Sequence, residues 1–497
     1  MKIQQFLEHH GIGANPFADE DAQTDRVFKG YCITHTYHPT WDKIYGDPAE
    51  PATAIVFGEK GSGKTAMRLQ IVRHLADHNA DHPHQRVFVI QYDDFNPFLD
   101  RFRERFHGRR RRAERAIGQW KLWDHMDAIL SLGVTQLVDR ILRVPQASHP
   151  AACDVEPLPV ESLDRAQVRD VLLLAACYDQ STAQSGLERW TQLRRALGFA
   201  VWPRCWDNVL GILVMLAVVG MIIYQGWWGS LATIWPYLAV VAGWGPRLWN
   251  VIKARWRAQR IVRHTRVLNQ NAKGLGRVLR KFADRQIVGQ PLPAAQRTDD
   301  RYELLAKLQN VLATLEFTGI IVLVDRVDEP YLVNGSVDLM RALLWPMLDN
   351  KLLKHPGIGV KLLLPIELSH FIDREDRDFH QRARLDKQNM IRSLEWTGES
   401  LYDLANSRVA ACAVQGRSPS LNDLFDNTVH DRRLVDAMRS LRVPRHLFKF
   451  IYRLLVTHTN AHTDETPVWE ISGETFESVL ALYQRDQDAF ERGTGAG

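Results

Sequence analysis

The sequence predicts an α/β fold: a three-layer core around a largely parallel sheet, with an inserted transmembrane helical hairpin and a C-terminal helical lid. Three observations predict it. Apolar runs of strand type (Ala54-Ile55-Val56-Phe57, Val87-Phe88-Val89-Ile90, Ile320-Ile321-Val322-Leu323-Val324 and Val360-Lys361-Leu362-Leu363-Leu364) are interleaved with helical stretches. Continuous runs of this kind suit parallel strands buried on both faces. The first run enters a glycine-rich loop, and the third ends in a cluster of acids. Between them lie 39 residues, Asn208 to Pro246, without a single charged side chain.

Composition sets the outer limits. A chain of 497 residues with 45% hydrophobic and 24% charged residues has the material for two or three folded domains, not for wholesale disorder. The five cysteines (Cys32, Cys153, Cys177, Cys205, Cys412) include no C-x-x-C pair, which argues against a zinc site or a disulfide framework and for a reducing compartment. Residues 1–25 carry Asp19, Glu20 and Asp21 and lack the basic start and apolar stretch of a signal peptide. The patterning divides the chain into an irregular lead-in (1–50), a first part of the core (51–115), a helical insertion (116–204), the hairpin (205–248), a basic helical region (249–300), a second part of the core (301–395) and a helical lid (396–497).

The first strand runs into Gly58-Glu59-Lys60-Gly61-Ser62-Gly63-Lys64-Thr65, which matches G-x-x-x-x-G-K-[ST] in full. Each part has a physical task. The glycines let the backbone curl so that successive N–H groups face phosphate oxygens, and the helix that follows offers its positive end. Lys64 reaches the outer phosphates and Thr65 places a hydroxyl on Mg²⁺, so the loop predicts a nucleoside triphosphate with Mg²⁺, ATP in the first instance, with no base-recognition motif to separate adenine from guanine.

Such chemistry needs a carboxylate beside the metal and another to orient water. The strand Ile320 to Val324 leads into Asp325-Arg326-Val327-Asp328-Glu329. Asp325, at the strand's end, is the expected Mg²⁺ partner, and Asp328 or Glu329 the expected base, with Asp328 preferred. Arg326 stands where a water-activating acid is common and leaves the base unassigned between those two.

Lys64 and Asp325 are 261 positions apart, so a large element is inserted between them. Val209 to Tyr224 and Leu231 to Trp244, joined by Gly226-Trp227-Trp228-Gly229-Ser230, read as two membrane passes, with Trp206, Trp227, Trp228, Trp244 and Trp249 near the interfaces. Arg204 and Arg247 bracket the pair, which predicts membrane contact through residues 206–248 with both flanks cytoplasmic. Lys253 to Arg285 contains one acid, Asp284, and suits anionic lipid headgroups. Nucleic acid is the competing partner for this stretch and for Arg109 to Arg112.

Downstream, Leu447, Phe450, Ile451, Leu454 and Leu455 repeat at one-face helical spacing, and Pro444 suits the first turn of that helix. Arg445 would then stand at the helix start, within reach of a terminal phosphate. This Pro-Arg pair resembles the second sensor of AAA-like ATPases.

From about residue 50 to 455 the chain resembles the KAP family of P-loop NTPases. The grounds are the loop Gly58 to Thr65, an uncharged hairpin placed before the acidic strand, and Asp325-Arg326-Val327-Asp328. The spacing through Glu329 is also similar to that of NACHT and related STAND NTPases. The resemblance implies an ATP hydrolase at the cytoplasmic side of the cell inner membrane. It would turn over slowly as a conformational or oligomerisation switch, self-associating, in signalling or phage exclusion. Two other readings stay open: a soluble ATPase motor stimulated by nucleic acid, and a nucleotide-binding scaffold that does not hydrolyse, to which Arg326 points.

Overall fold

The computed structural model describes residues 1–144, 158–181, 184–200, 206–226, 229, 233–383, 385 and 389–491. The chain divides into two compact units. One comprises Met1–Asp94, Gly319–Arg341 and Leu348–Gly497; the other comprises Phe95–Thr318 and Ala342–Met347.

The first unit holds the sheet. Its strands are β1 (Ala54–Gly58), β2 (Arg86–Tyr92), β3 (Phe317–Val324, whose first two residues belong to the second unit), β4 (Ile358–Pro365) and β5 (Asn389–Ile391), in the order β2-β3-β4-β1-β5. β1 runs parallel to β4, with Ala54 opposite Lys361 and Gly58 opposite Pro365, and parallel to β5 on its other side. β3 is parallel to β4, with Ile320 opposite Ile358. β1 and β4 are buried at every residue, which is why β1 is an unbroken apolar run and β4 is apolar except at Lys361. The carboxyl ends of β1 and β3 therefore lie on one edge of the sheet, where open parallel sheets place their ligand sites.

The helix Lys64–Asp81 packs Met67, Ile71 and Leu75 onto Val56, Ile321 and Leu363 of the sheet. A separate core joins the C-terminal helices Gly398–Ala411, Asp431–Leu441, Pro444–Ala461 and Gly473–Glu491 through Leu401, Leu434, Leu447, Ile451, Leu454 and Phe476. Phe6 and Leu7, from the helix Ile3–His9, enter the same core, so the start of the chain is built into the unit.

The second unit is helical. Leu122–Leu142, Arg165–Tyr178 and Thr298–Thr314 pack around an ion pair between Arg301 and Asp127, both fully buried, whose carboxylate also accepts the Tyr178 hydroxyl at 2.8 Å. Unpaired, either charge would cost several kcal/mol at that depth; paired and hydrogen-bonded, the two fix the register of the helices.

The predicted architecture is corrected on two counts. Among the described residues helix accounts for 60% and the sheet is a single small one of five strands, because the long stretch between the two motifs folds as helices rather than as further layers on a larger sheet. The transmembrane hairpin fails as well: among the described residues no helix is long and apolar enough to cross a membrane. Trp206–Gln225 and Trp235–His264 are helices that pack together, the Trp244 ring filling the space a side chain at Gly211 would need and Val214 the space at Gly243. The apolar part of the first, Val209 to Tyr224, rises only about 24 Å, against about 30 Å of hydrocarbon. The second runs without a break through Pro246 into Arg247, Lys253 and Arg257, so its charges belong to the same helix as its apolar half. Arg204, Trp227, Trp228, Ser230 and Leu231, invoked as flank and turn, lie outside the described residues.

Lys361 is the one charged residue inside β4. It is fully buried, donates to the Tyr45 carbonyl at 3.0 Å, and burial pushes its ammonium down to about 8. Above that pH the native chain is neutral here, while the unfolded chain keeps its proton up to about 10.5. The unfolded state then binds more protons, so stability rises with pH across the window, by roughly 3 kcal/mol in all. Lys361→Met is expected to raise stability at neutral pH by about 2 kcal/mol and to flatten the rise between those pH values in denaturant titrations.

Candidate nucleotide site

The glycine loop leaves the carboxyl end of β1 and closes onto the first turn of Lys64–Asp81. Gly61 and Gly63 hold φ of 91° and 97°, a region L side chains rarely adopt, so the curl depends on glycine. Ser62 is buried with its amide on the Glu59 carbonyl at 3.1 Å, while Glu59 and Lys60 face solvent. Lys64 Nζ donates to the carbonyls of Gly58 at 2.7 Å and Glu59 at 2.9 Å, and so lies along the loop's inner rim. Burial lowers its pKa; Asp325, Asp328 and Glu367 oppose that shift.

The acidic strand end meets the loop helix at one atom. Asp325 Oδ2 accepts the Thr65 hydroxyl at 3.2 Å and lies 3.2 Å from Arg68 Nε. Arg68 is itself buried; its Nη1 donates to Gln91 at 2.9 Å and pairs with Asp93. Burial raises the Asp325 pKa, with Arg68, the Arg326 amide and Thr65 pulling it back. Arg326 adopts φ of 60°, a strained turn for a non-glycine residue, and places its guanidinium 2.6 Å from Glu329. Asp328 forms no ion pair among the described residues, yet its charge is felt at Lys64.

Arg445 arrives from the C-terminal helices. Pro444 opens the helix Pro444–Ala461, and the Arg445 amide donates to the Gly61 carbonyl at 3.4 Å. The contact is close enough that a side chain at Gly61 would stand 2.6 Å from Arg445 Cβ. Glu20 lies between Arg445, at 4.0 Å, and Lys449, at 3.4 Å.

Lys64, Thr65, Asp325, Asp328, Glu329, Arg445 and Glu20 line one open cleft of about 180 Å³ within the first unit. Its polar lining includes Lys64, Thr65, Asp325, Asp328 and Glu329, and its ring-bearing and apolar wall includes Phe28, His38, Leu394, Trp396 and Phe448. Trp396 Nε1 donates to the Ser62 carbonyl at 2.9 Å, which locks that wall to the loop, and the His38 ring meets the Trp396 ring edge-on at 4.9 Å. An anionic end and a flat apolar end of one ligand fit this division.

The donor set suits Mg²⁺. Among the described residues no three His, Cys, Asp or Glu side chains converge on one point, so the protein offers no full cage. Thr65 and Asp325 supply two hard oxygens side by side, and Mg²⁺ of this kind takes its remaining ligands from phosphate and water.

The structure thus brings Lys60, Gly61, Gly63, Lys64, Thr65, Asp325, Asp328, Glu329 and Arg445 onto one cleft, while Gly58, Glu59 and Ser62 belong to the same loop but not to its lining. Arg68, Trp396, His38 and Glu20 were not anticipated. Arg68 had a readable signal: it follows Lys64 by four positions and so shares its face of the helix. Trp396 and His38 had none. No family model, curated protein or solved structure matches the chain.

Removing Arg68 leaves the Asp325 carboxylate buried without its cation, a change that costs about 3 kcal/mol at such sites. Arg68→Met is therefore expected to lower the melting temperature sharply. The double variant Arg68→Met/Asp325→Asn should recover part of the loss, and simple additivity of the two would show that the pair is not coupled.

Proposed function

We propose that the cleft binds ATP with Mg²⁺ and hydrolyses it slowly, the change in occupancy acting as a switch on the C-terminal helices. The observation that carries this reading is the contact of Thr65 with Asp325 beneath a complete phosphate loop, since it sets the two metal-facing oxygens together. The loop amides and Lys64 hold the phosphates. Mg²⁺, held by Thr65 and Asp325, would neutralise charge on the two outer phosphates. Asp328 takes a proton from water as the water oxygen attacks the γ-phosphorus and the bond to the bridging oxygen breaks, leaving ADP and phosphate. Asp328 is preferred over Glu329 because Glu329 is already engaged by Arg326. Arg445, at the mouth beside Gly61, faces the charge that leaves with the γ-phosphate and passes the difference to its helix.

One observation supports a second reading, a scaffold that binds without turnover: arginines already occupy both Asp325 and Glu329. Single-turnover hydrolysis with purified protein separates the two. On the first reading ATP is converted to ADP. Asp328→Asn keeps nucleotide affinity within about threefold and slows turnover roughly a hundredfold or more, while Glu329→Gln turns over near the wild-type rate. A wild-type chain that holds ATP intact through many binding lifetimes would establish the scaffold. Lys64→Ala is expected to weaken binding about a hundredfold or more on either reading, because the loop loses its charge-assisted contact with the outer phosphates.

A further inference from the structure

A cleft of about 210 Å³ in the second unit gathers charge that the nucleotide site does not use. One side is the basic half of Trp235–His264, which lines it with Arg247, Asn250, Lys253 and Arg257 from a single helix face. The other side supplies Arg280 and Asp284, just beyond the helix Ala272–Leu279. Asp284 answers two of the four cations, Lys253 at 3.2 Å and Arg257 at 3.0 Å. Burial pushes the Asp284 carboxyl up, but the hydrogen bonds from Arg257 and Lys253 outweigh it and hold the acid below its usual value, so it is ionised and already engaged. No ion pair to Arg247 or Arg280 occurs among the described residues, and both are exposed. The Arg247 guanidinium lies over the Trp244 ring, 5.0 Å from its centre, which limits where it can swing. Four cations thus face one acid, and three positive charges stand in excess around one small space. Like charges so placed repel one another until an anion joins them.

We propose that this cleft binds the diphosphate group of a soluble ligand. The placement of the cations selects it. They stand on two facing elements, as a clamp around one compact group. A nucleic-acid backbone spreads its phosphates along a line and would use a stripe of cations on one surface. The one ring in the lining, Phe282, is buried, so no base can stack on it. A single phosphate, at about two negative charges, leaves part of the excess unanswered, and a second phosphate answers it. The guanidinium forks of Arg247, Arg257 and Arg280 suit phosphate oxygens, which accept paired N–H bonds.

The test is isothermal titration of the full chain with inorganic pyrophosphate, inorganic phosphate and sulfate at one ionic strength. The chain carries Lys64→Ala, so that the glycine loop does not contribute. One pyrophosphate per chain is expected, bound at least about tenfold more tightly than phosphate or sulfate. Arg247→Gln/Arg280→Gln should lose roughly a hundredfold, about tenfold for each charge-assisted contact. Arg247→Lys/Arg280→Lys should keep affinity within about tenfold of the parent, which separates charge from folding. No binding at millimolar pyrophosphate, an unchanged Gln variant, or equal affinity for the three anions would overturn the proposal. So would a single-stranded oligonucleotide that displaces pyrophosphate and binds more tightly, which would mark an extended surface for nucleic acid.

Discussion

One buried carboxylate oxygen, Asp325 Oδ2, joins the parts of the site. It receives the Thr65 hydroxyl and the Arg68 guanidinium, both from the helix that follows the glycine loop. An isolated carboxylate at that depth would take up a proton instead of remaining charged. The Arg68 guanidinium, four residues beyond Lys64, opposes that uptake. Because β3 and β1 are separated in the sheet by β4, this contact also fixes where the acidic turn stands relative to the loop. Arg326 in its left-handed turn, Asp328 and Glu329 take their positions from that anchor.

Above the loop a different constraint operates. Gly61 has no side chain, and the start of Pro444–Ala461 comes within backbone hydrogen-bonding distance of it. That helix is rooted in the C-terminal core through Leu447, Ile451 and Leu454, so a shift at Arg445 is carried by packed side chains and not by a loose loop. Glu20 balances Arg445 and Lys449. On the proposed function, a ligand bringing several negative charges to the cleft would compete with Glu20 for Arg445 and so give the helix a second electrostatic surrounding.

Legibility followed locality. The loop Gly58 to Thr65 could be read because its residues are consecutive and each has a separate physical task. β1, β3 and β4 could be read because strands buried on both faces are written as apolar runs, which in β4 only Lys361 interrupts. β5 could not: it has three residues, Asn389-Met390-Ile391, and only its pairing with β1 makes it a strand. Nothing in the sequence singles out Arg301 and Asp127, which lie 174 positions apart and become partners only on folding. The membrane hairpin does not follow from an uncharged stretch, interfacial tryptophans and basic flanks. Length along the helix decides the matter, and the basic half of Trp235–His264 is continuous with its apolar half.

Isothermal titration of the purified full chain with ATP, with and without Mg²⁺, tests the central claim most directly. If Thr65 and Asp325 form a metal-assisted triphosphate site, ATP should bind at one site per chain, and affinity should rise about tenfold or more with Mg²⁺. Asp325→Asn should abolish the Mg²⁺ dependence while leaving metal-free binding in place. No heat of binding for ATP or GTP at millimolar concentration, in a sample shown to be folded, would contradict the account.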